Sequence, residues 1–199
     1  MRLSIGSARQ WHWISAAICL AGMLMFAITG ITLNHATDIT VQPQVRNMET
    51  TVPPSILATI TALPEGNTQL PVALTQWLKD EKAISPPSNK QGEWDGVELY
   101  LSWPGPGQDH WLAIDTQMGE LVYEGVDRGW IAYFNDLHKG RNTGTIWKWF
   151  IDIFSAVVII FTVTGLQLLI KQAPHKSSTW PVTALSLLIP VFIMLVFIH

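Results

Sequence analysis

The sequence predicts a membrane protein: a three-helix transmembrane bundle with a small α+β extracytoplasmic domain inserted between the first and second spans. Three observations carry this. Three uncharged apolar blocks are each long enough to cross a bilayer. Between the first two, the hydrophobic period changes from helical to alternating. The charges divide as well: residues 36–145 hold 14 acidic and 7 basic residues, whereas the remainder holds Asp152 and five bases.

The first block, residues 14–33, runs ISAAICLAGMLMFAITGITL. At about 1.5 Å per helical residue it matches a hydrocarbon core of roughly 30 Å. Residues 153–170 (IFSAVVIIFTVTGLQLLI) and 181–198 (PVTALSLLIPVFIMLVFI) do the same. A cleavable leader has an apolar core of only about 7–15 residues, so the first block reads as a retained anchor. Arg2 and Arg9 precede the first span, and Lys171 and Lys176 separate the second from the third, which puts both segments on the cytoplasmic side. Lys139, Arg141 and Lys148 weaken a simple count, although long translocated loops obey the charge rule poorly. Trp11, Trp13, Trp147, Trp149 and Trp180 stand at span ends, where amphipathic rings prefer the headgroup level.

The plan is therefore a cytoplasmic N-terminus at 1–13, spans at 14–33, 146–170 and 180–198, an outer domain at 34–145 and a cytoplasmic loop at 171–179. An acidic domain between basic membrane flanks excludes nucleic acid as the natural partner and leaves membrane lipid. Cys19, the only cysteine, lies within the first span and reads as a packing residue; no intramolecular disulfide can form.

In the outer domain a polar, Pro-containing stretch reaches about residue 54. SILATITAL and residues 70–83 then predict two helices, the second with Val72, Leu74, Trp77 and Leu78 on one side. After a coil rich in Pro, Ser, Gly and Asn, Val97, Leu99 and Leu101 alternate with Glu98 and Tyr100 as in a strand. Pro104-Gly105-Pro106-Gly107 turns the chain into HWLAID, and TQMG at 116–119 turns it again into ELVYEGV. Residues 128–139 form an amphipathic helix with Trp130, Tyr133, Phe134 and Leu137 on one side, lying against the membrane surface or under the sheet, and Gly140 stops it.

The first two spans read alike. Each opens on W-x-W (Trp11 and Trp13; Trp147 and Trp149). Each closes on F-x-[IV]-T-G-[IL]-x-L, as Phe26, Thr29, Gly30, Leu33 and as Phe161, Thr164, Gly165, Leu168. One reading is an inverted repeat with equivalent environments at the two membrane faces. The other is two apolar helices that share interfacial Trp and a small packing residue.

Six histidines are present, and four fall at the ends of these two spans: His35 and His138 at the outer face, His12 and His175 at the inner. Neutral imidazole is a strong axial ligand of haem iron, so each face offers one pair; interfacial histidine also occurs without any metal. His12 and His35 lie 23 residues apart, about 34 Å along a helix, and cannot serve one haem. Lys139 and Arg141 flank His138 and suit haem propionates, or are ordinary juxtamembrane charges. Lys148 and Asp152 are spaced for an ion pair, and Asp152 for orienting an imidazole. His110 beside Trp111 reads as structural or exposed, and the terminal His199 as incidental or a spare ligand. There is no HExxH, CxxC, EF-hand, phosphate-loop or nucleophile-elbow pattern.

The segments TGITLNHA (29–36), NDLHKGRNTGTIWKWFID (135–152) and TVTG (162–165) resemble the PepSY-associated transmembrane protein family, as does the D-x-x-x-G-E turn from Asp115 to Glu120. The resemblance covers nearly the whole chain and implies a PepSY-like outer domain. Larger members include haem-containing reductases that act on ferric siderophores at the periplasmic face. What this implies is a b-type haem protein of the bacterial inner membrane, binding one or two haems. His35 and His138 match the family's histidines at the outer face; His12 and His175 are the inner pair. Electrons would pass from a cytoplasmic or quinol donor to a periplasmic acceptor, a ferric chelate or a flavin-carrying protein. The chain would then be a ferric or flavin reductase or the electron-transfer subunit of one. It departs from the larger reductases in lacking a fourth span and a second PepSY domain, and a homodimer would supply that missing half. The alternative is a PepSY-type binding or regulatory module, or a membrane anchor, without haem.

Overall fold

The computed structural model describes residues 6–39 and 41–198. Arg2 and His199 lie outside the described residues. The chain divides into two compact units, one made of Met1–Met25 with Trp149–His199, the other of Phe26–Lys148.

Among the described residues three helices are long and apolar enough to cross a membrane: α1 (Ala8–Asn34), α5 (Gly144–Gln172) and α6 (Thr179–Phe197). The first two exceed the apolar blocks at both ends, because residues such as Arg9, Gln10 and Lys148 are good helix formers and continue the backbone ladder. A 3-10 turn, Ala173–His175, follows α5.

The remaining elements form an α+β unit. Six antiparallel strands, β1 (Gln44–Thr51), β2 (Gly66–Gln69), β3 (Gln91–Trp94), β4 (Glu98–Ser102), β5 (Gln108–Asp115) and β6 (Glu120–Asp127), lie in the order β1-β6-β5-β4-β3-β2. Two helices, α2 (Pro54–Thr61) and α3 (Val72–Lys82), bring Ile56, Ile60, Leu74, Trp77 and Leu78 into one core with the sheet residues Leu99, Leu101, Leu112, Ile114 and Leu121. The β4 pattern decides the packed face: Leu99 and Leu101 are buried while Glu98 and Tyr100 point away. Turn chemistry fixes the register. The Asp95 carboxylate accepts the amides of Val97 and Glu98 at 2.8 and 2.7 Å, and Asp115 accepts those of Gln117 and Met118 at 2.8 and 2.9 Å.

The β4–β6 meander and the amphipathic helix α4 (Gly129–Lys139) agree with the sequence pattern. Strands β1, β2 and β3 do not. They occupy the polar stretch before residue 54, the link after Pro64 and the coil before residue 97. β1, QVRNMETT, has no apolar alternation; it is a strand because all eight of its residues pair with β6, from Gln44↔Asp127 to Thr51↔Glu120.

Candidate functional site

Residues spaced i, i+3 and i+4 share one face of a helix, so Phe26, Thr29 and Gly30 form one patch on α1, and Phe161, Thr164 and Gly165 form another on α5. Each patch holds a histidine.

In the unit that contains the sheet, α4 delivers His138 to the first patch. Its Nδ1 lies 2.6 Å from Thr29 Oγ1, and its ring centroid is 4.8 Å from that of Phe26, tilted by 49°. Gly30 leaves the space beside Cε1 open; a Cβ there would stand 3.9 Å away. Two further bonds hold α4: Thr32 Oγ1 donates to Asn135 Oδ1 at 2.6 Å, and Trp147 Nε1 donates to the Leu137 carbonyl at 2.8 Å.

The other unit repeats the arrangement. His12 stacks on Phe161 at 4.5 Å with 14° between planes. Its Nδ1 lies 3.1 Å from the Phe161 carbonyl and 3.3 Å from Thr164 Oγ1. At Gly165 a Cβ would approach Cε1 to 3.0 Å, so glycine is what lets the ring sit there.

The hydrogen-bond partners assign a tautomer to His12. A carbonyl only accepts, so His12 Nδ1 carries its proton toward Phe161. The Thr29 hydroxyl lies 3.2 Å from the Phe26 carbonyl and 2.6 Å from His138 Nδ1, and as both donor and acceptor it can hold either tautomer of that ring. Neither Nε2 has a hydrogen-bond partner among the described residues, and that of His12 carries the lone pair. This is the form in which histidine binds a metal: one nitrogen donates to an orienting oxygen and the other faces the ion. The donor chemistry of both sites fits haem iron, which needs axial nitrogens rather than a cluster. Among the described residues no group of three or more His, Cys, Asp or Glu is arranged to hold a metal ion.

His35 and His175 are placed differently. His35 follows α1 with its Nδ1 3.1 Å from the Ile31 carbonyl, and it is exposed. At about 100° per residue it leaves the helix roughly opposite Phe26, and no hydrogen bond or ring contact joins it to His138 among the described residues. His175 is exposed in the 3-10 turn, with no such contact to His12.

Lys139 is exposed and makes no ion pair among the described residues. Arg141 is committed to Asp136 at 2.7 Å. Buried Asp136 also accepts from Arg128 at 3.0 Å and from the Gly107 amide at 2.9 Å, so one carboxylate ties the β4–β5 turn to α4 and the residues after it. His110 is half-buried: its Nδ1 is 3.1 Å from the Tyr123 hydroxyl and its Nε2 3.3 Å from Gln108 Oε1. Burial pulls its pKa below the usual imidazole value against the pull of Asp109 and Asp127, and burial raises that of Tyr123.

Sequence reasoning singled out the four span-end histidines and the repeated Phe, Thr and Gly, but not that the repeat anchors two of those histidines. The signal available was the shared face of Phe26, Thr29 and Gly30; which imidazole would land on it was not written in the spacing.

Fold and site together define a membrane-inserted protein with three apolar helices, a separate antiparallel sheet region and two helix-anchored histidines. Residues 3–199 match the family model described as PepSY_TM-like, and the chain belongs to that family. Searches of curated proteins and of solved structures gave no match.

Proposed function

We propose that this is a b-type haem protein of the bacterial inner membrane that passes electrons outward across it, with its N-terminus cytoplasmic. Its PepSY-like α+β domain lies between the first and second spans on the periplasmic side. The observation that supports this best is the repeated anchoring of His138 and His12, each with Nδ1 held by a threonine-bearing helix face and Nε2 bare. A bound haem supplies reversible one-electron chemistry. The chain's own groups orient the imidazoles: the Phe161 carbonyl sets the tautomer of His12, Thr29 and Thr164 hold each Nδ1, and Phe26 and Phe161 restrict ring rotation. His35 and His175, both exposed, are the candidates for second axial positions. Lys139 keeps its charge for a propionate, whereas that of Arg141 is engaged by Asp136. The donor is a quinol or cytoplasmic protein, and the acceptor a periplasmic ferric chelate or flavin-carrying protein.

The same histidine–threonine bonds would serve a haem-free regulatory module as helix latches. A dithionite-reduced spectrum of the purified chain separates the two readings. Split α and β bands, with one population lost in His138→Ala and another in His12→Ala, are the expected result; their absence from the unaltered chain refutes the haem reading.

A further inference from the structure

Helix α4 is built inside out. Its buried residues are polar, Asn135 and Asp136, while Trp130 is 76% and Phe134 42% exposed. A surface helix of a water-soluble domain has the opposite pattern. Exposed Trp130 and Phe134 and the half-buried Tyr133 form one aromatic patch, with ring centroids 5.5 to 6.4 Å apart. The side that carries Asp136 is tied to the turn before β5. Asp136 takes its three donors, and a Cβ on Gly107 would collide with the Tyr133 backbone at 2.7 Å, so helix and turn are in direct backbone contact. The helix therefore has no freedom to roll its rings inward.

Its depth is fixed too. His138 bonds to Thr29 and Asn135 to Thr32, both within the uncharged block 14–33, and Trp147 of α5 bonds to the Leu137 carbonyl. Only Gly140–Thr143 separate α4 from α5. A helix pinned to the last turns of one apolar helix and the first turn of another lies at the level where hydrocarbon gives way to headgroups. Aromatic rings partition to that level, and their exposure there removes apolar surface from water instead of adding it.

We infer that α4 is an interfacial membrane helix, with Trp130, Tyr133 and Phe134 inserted into the headgroup–acyl boundary of the lipid. The full-length chain tests this in nanodiscs of phosphatidylcholine and phosphatidylglycerol. Cys19→Ala provides the background, and single nitroxide labels are placed through Trp130→Cys, Phe134→Cys and, as a control, Met118→Cys on the exposed β5–β6 turn. Labels at 130 and 134 should be relaxed by oxygen more than by a water-soluble nickel chelate, and the label at 118 the reverse. Nickel accessibility at 130 and 134 equal to that at 118 overturns the inference. So does spin–spin broadening between copies, which would assign the patch to a second chain. Brominated lipid gives a label-free check: it should quench the unaltered protein more than Trp130→Phe, and equal quenching of the two counts against insertion.

Discussion

Replacing Thr29 by Val removes one oxygen and keeps the shape of the side chain, so it deletes the bond to His138 together with the hydroxyl's contact to the Phe26 carbonyl of its own helix. Among the described residues His138 Nδ1 has one hydrogen-bond partner, the Thr29 hydroxyl at 2.6 Å, and Thr29 is only 6% exposed. Thr29→Val leaves Nδ1 without its hydrogen-bond partner, which costs about 1–3 kcal/mol. Thr164→Val is the matched control. His12 Nδ1 keeps the Phe161 carbonyl at 3.1 Å when the hydroxyl is gone, so its cost should stay below about 1 kcal/mol. Under the proposed haem reading the same asymmetry should show in the redox behaviour. Donation from Nδ1 makes an imidazole the stronger electron donor and favours ferric iron, so its loss raises the potential. A difference of about 0.5–1 kcal/mol in that bond between the two oxidation states amounts to about 20–40 mV, since 1.4 kcal/mol is about 59 mV for one electron. The assays are a redox titration followed at the α bands and a thermal melt in the same detergent. One haem population should rise in potential in Thr29→Val, move less in Thr164→Val and return in Thr29→Ser. Equal effects of the two valines, or no shift in Thr29→Val with haem retained, would refute the assignment of Thr29 as the positioning residue.

The two glycines of the repeat should differ as well. Gly165→Ala places a methyl 3.0 Å from His12 Cε1 and should displace the ring at a cost of about 1–2 kcal/mol, whereas Gly30→Ala has 3.9 Å of room and should leave stability unchanged or raise it by about 0.5 kcal/mol; thermal melts of both variants decide. His110 gives a pH dependence. Because its folded pKa lies below the unfolded value, the unfolded chain binds the extra proton, so its contribution is present above about pH 6.5 and is lost as pH falls through the depressed folded value. Urea unfolding between pH 7 and 5 should show a steeper loss of stability for the unaltered chain than for His110→Gln.

Elements whose stability comes from their own pattern were legible in the sequence. The apolar helices, the β4–β6 meander and α4 carry their period within a single segment. β1 does not, since its side chains are mostly exposed and its pairing partner is encoded some 75 residues later. The histidines show the same division. Their positions at helix ends follow from counting residues, but the hold on His138 depends on α4 meeting a helix that ended a hundred residues earlier. Arg141 illustrates the limit for charges. Beside His138 it suggests an anion partner, and that partner turned out to be Asp136, five residues back and on the buried side of α4. The polarity of α4 was readable and the direction of its aromatic face was not, because a helical period gives two faces without saying which meets lipid.

The crossed placement of histidine and anchor has a consequence for biogenesis. Thr29 leaves the ribosome 109 residues ahead of His138, and His12 leaves it 152 residues ahead of Thr164. Neither half-site is finished while only the first helix is in the bilayer. The Thr29–His138 contact closes only after the β-sheet sequence has been made, and the His12–Thr164 contact only after α5 has followed, so under the proposed haem reading loading at each histidine would wait for that stage of synthesis.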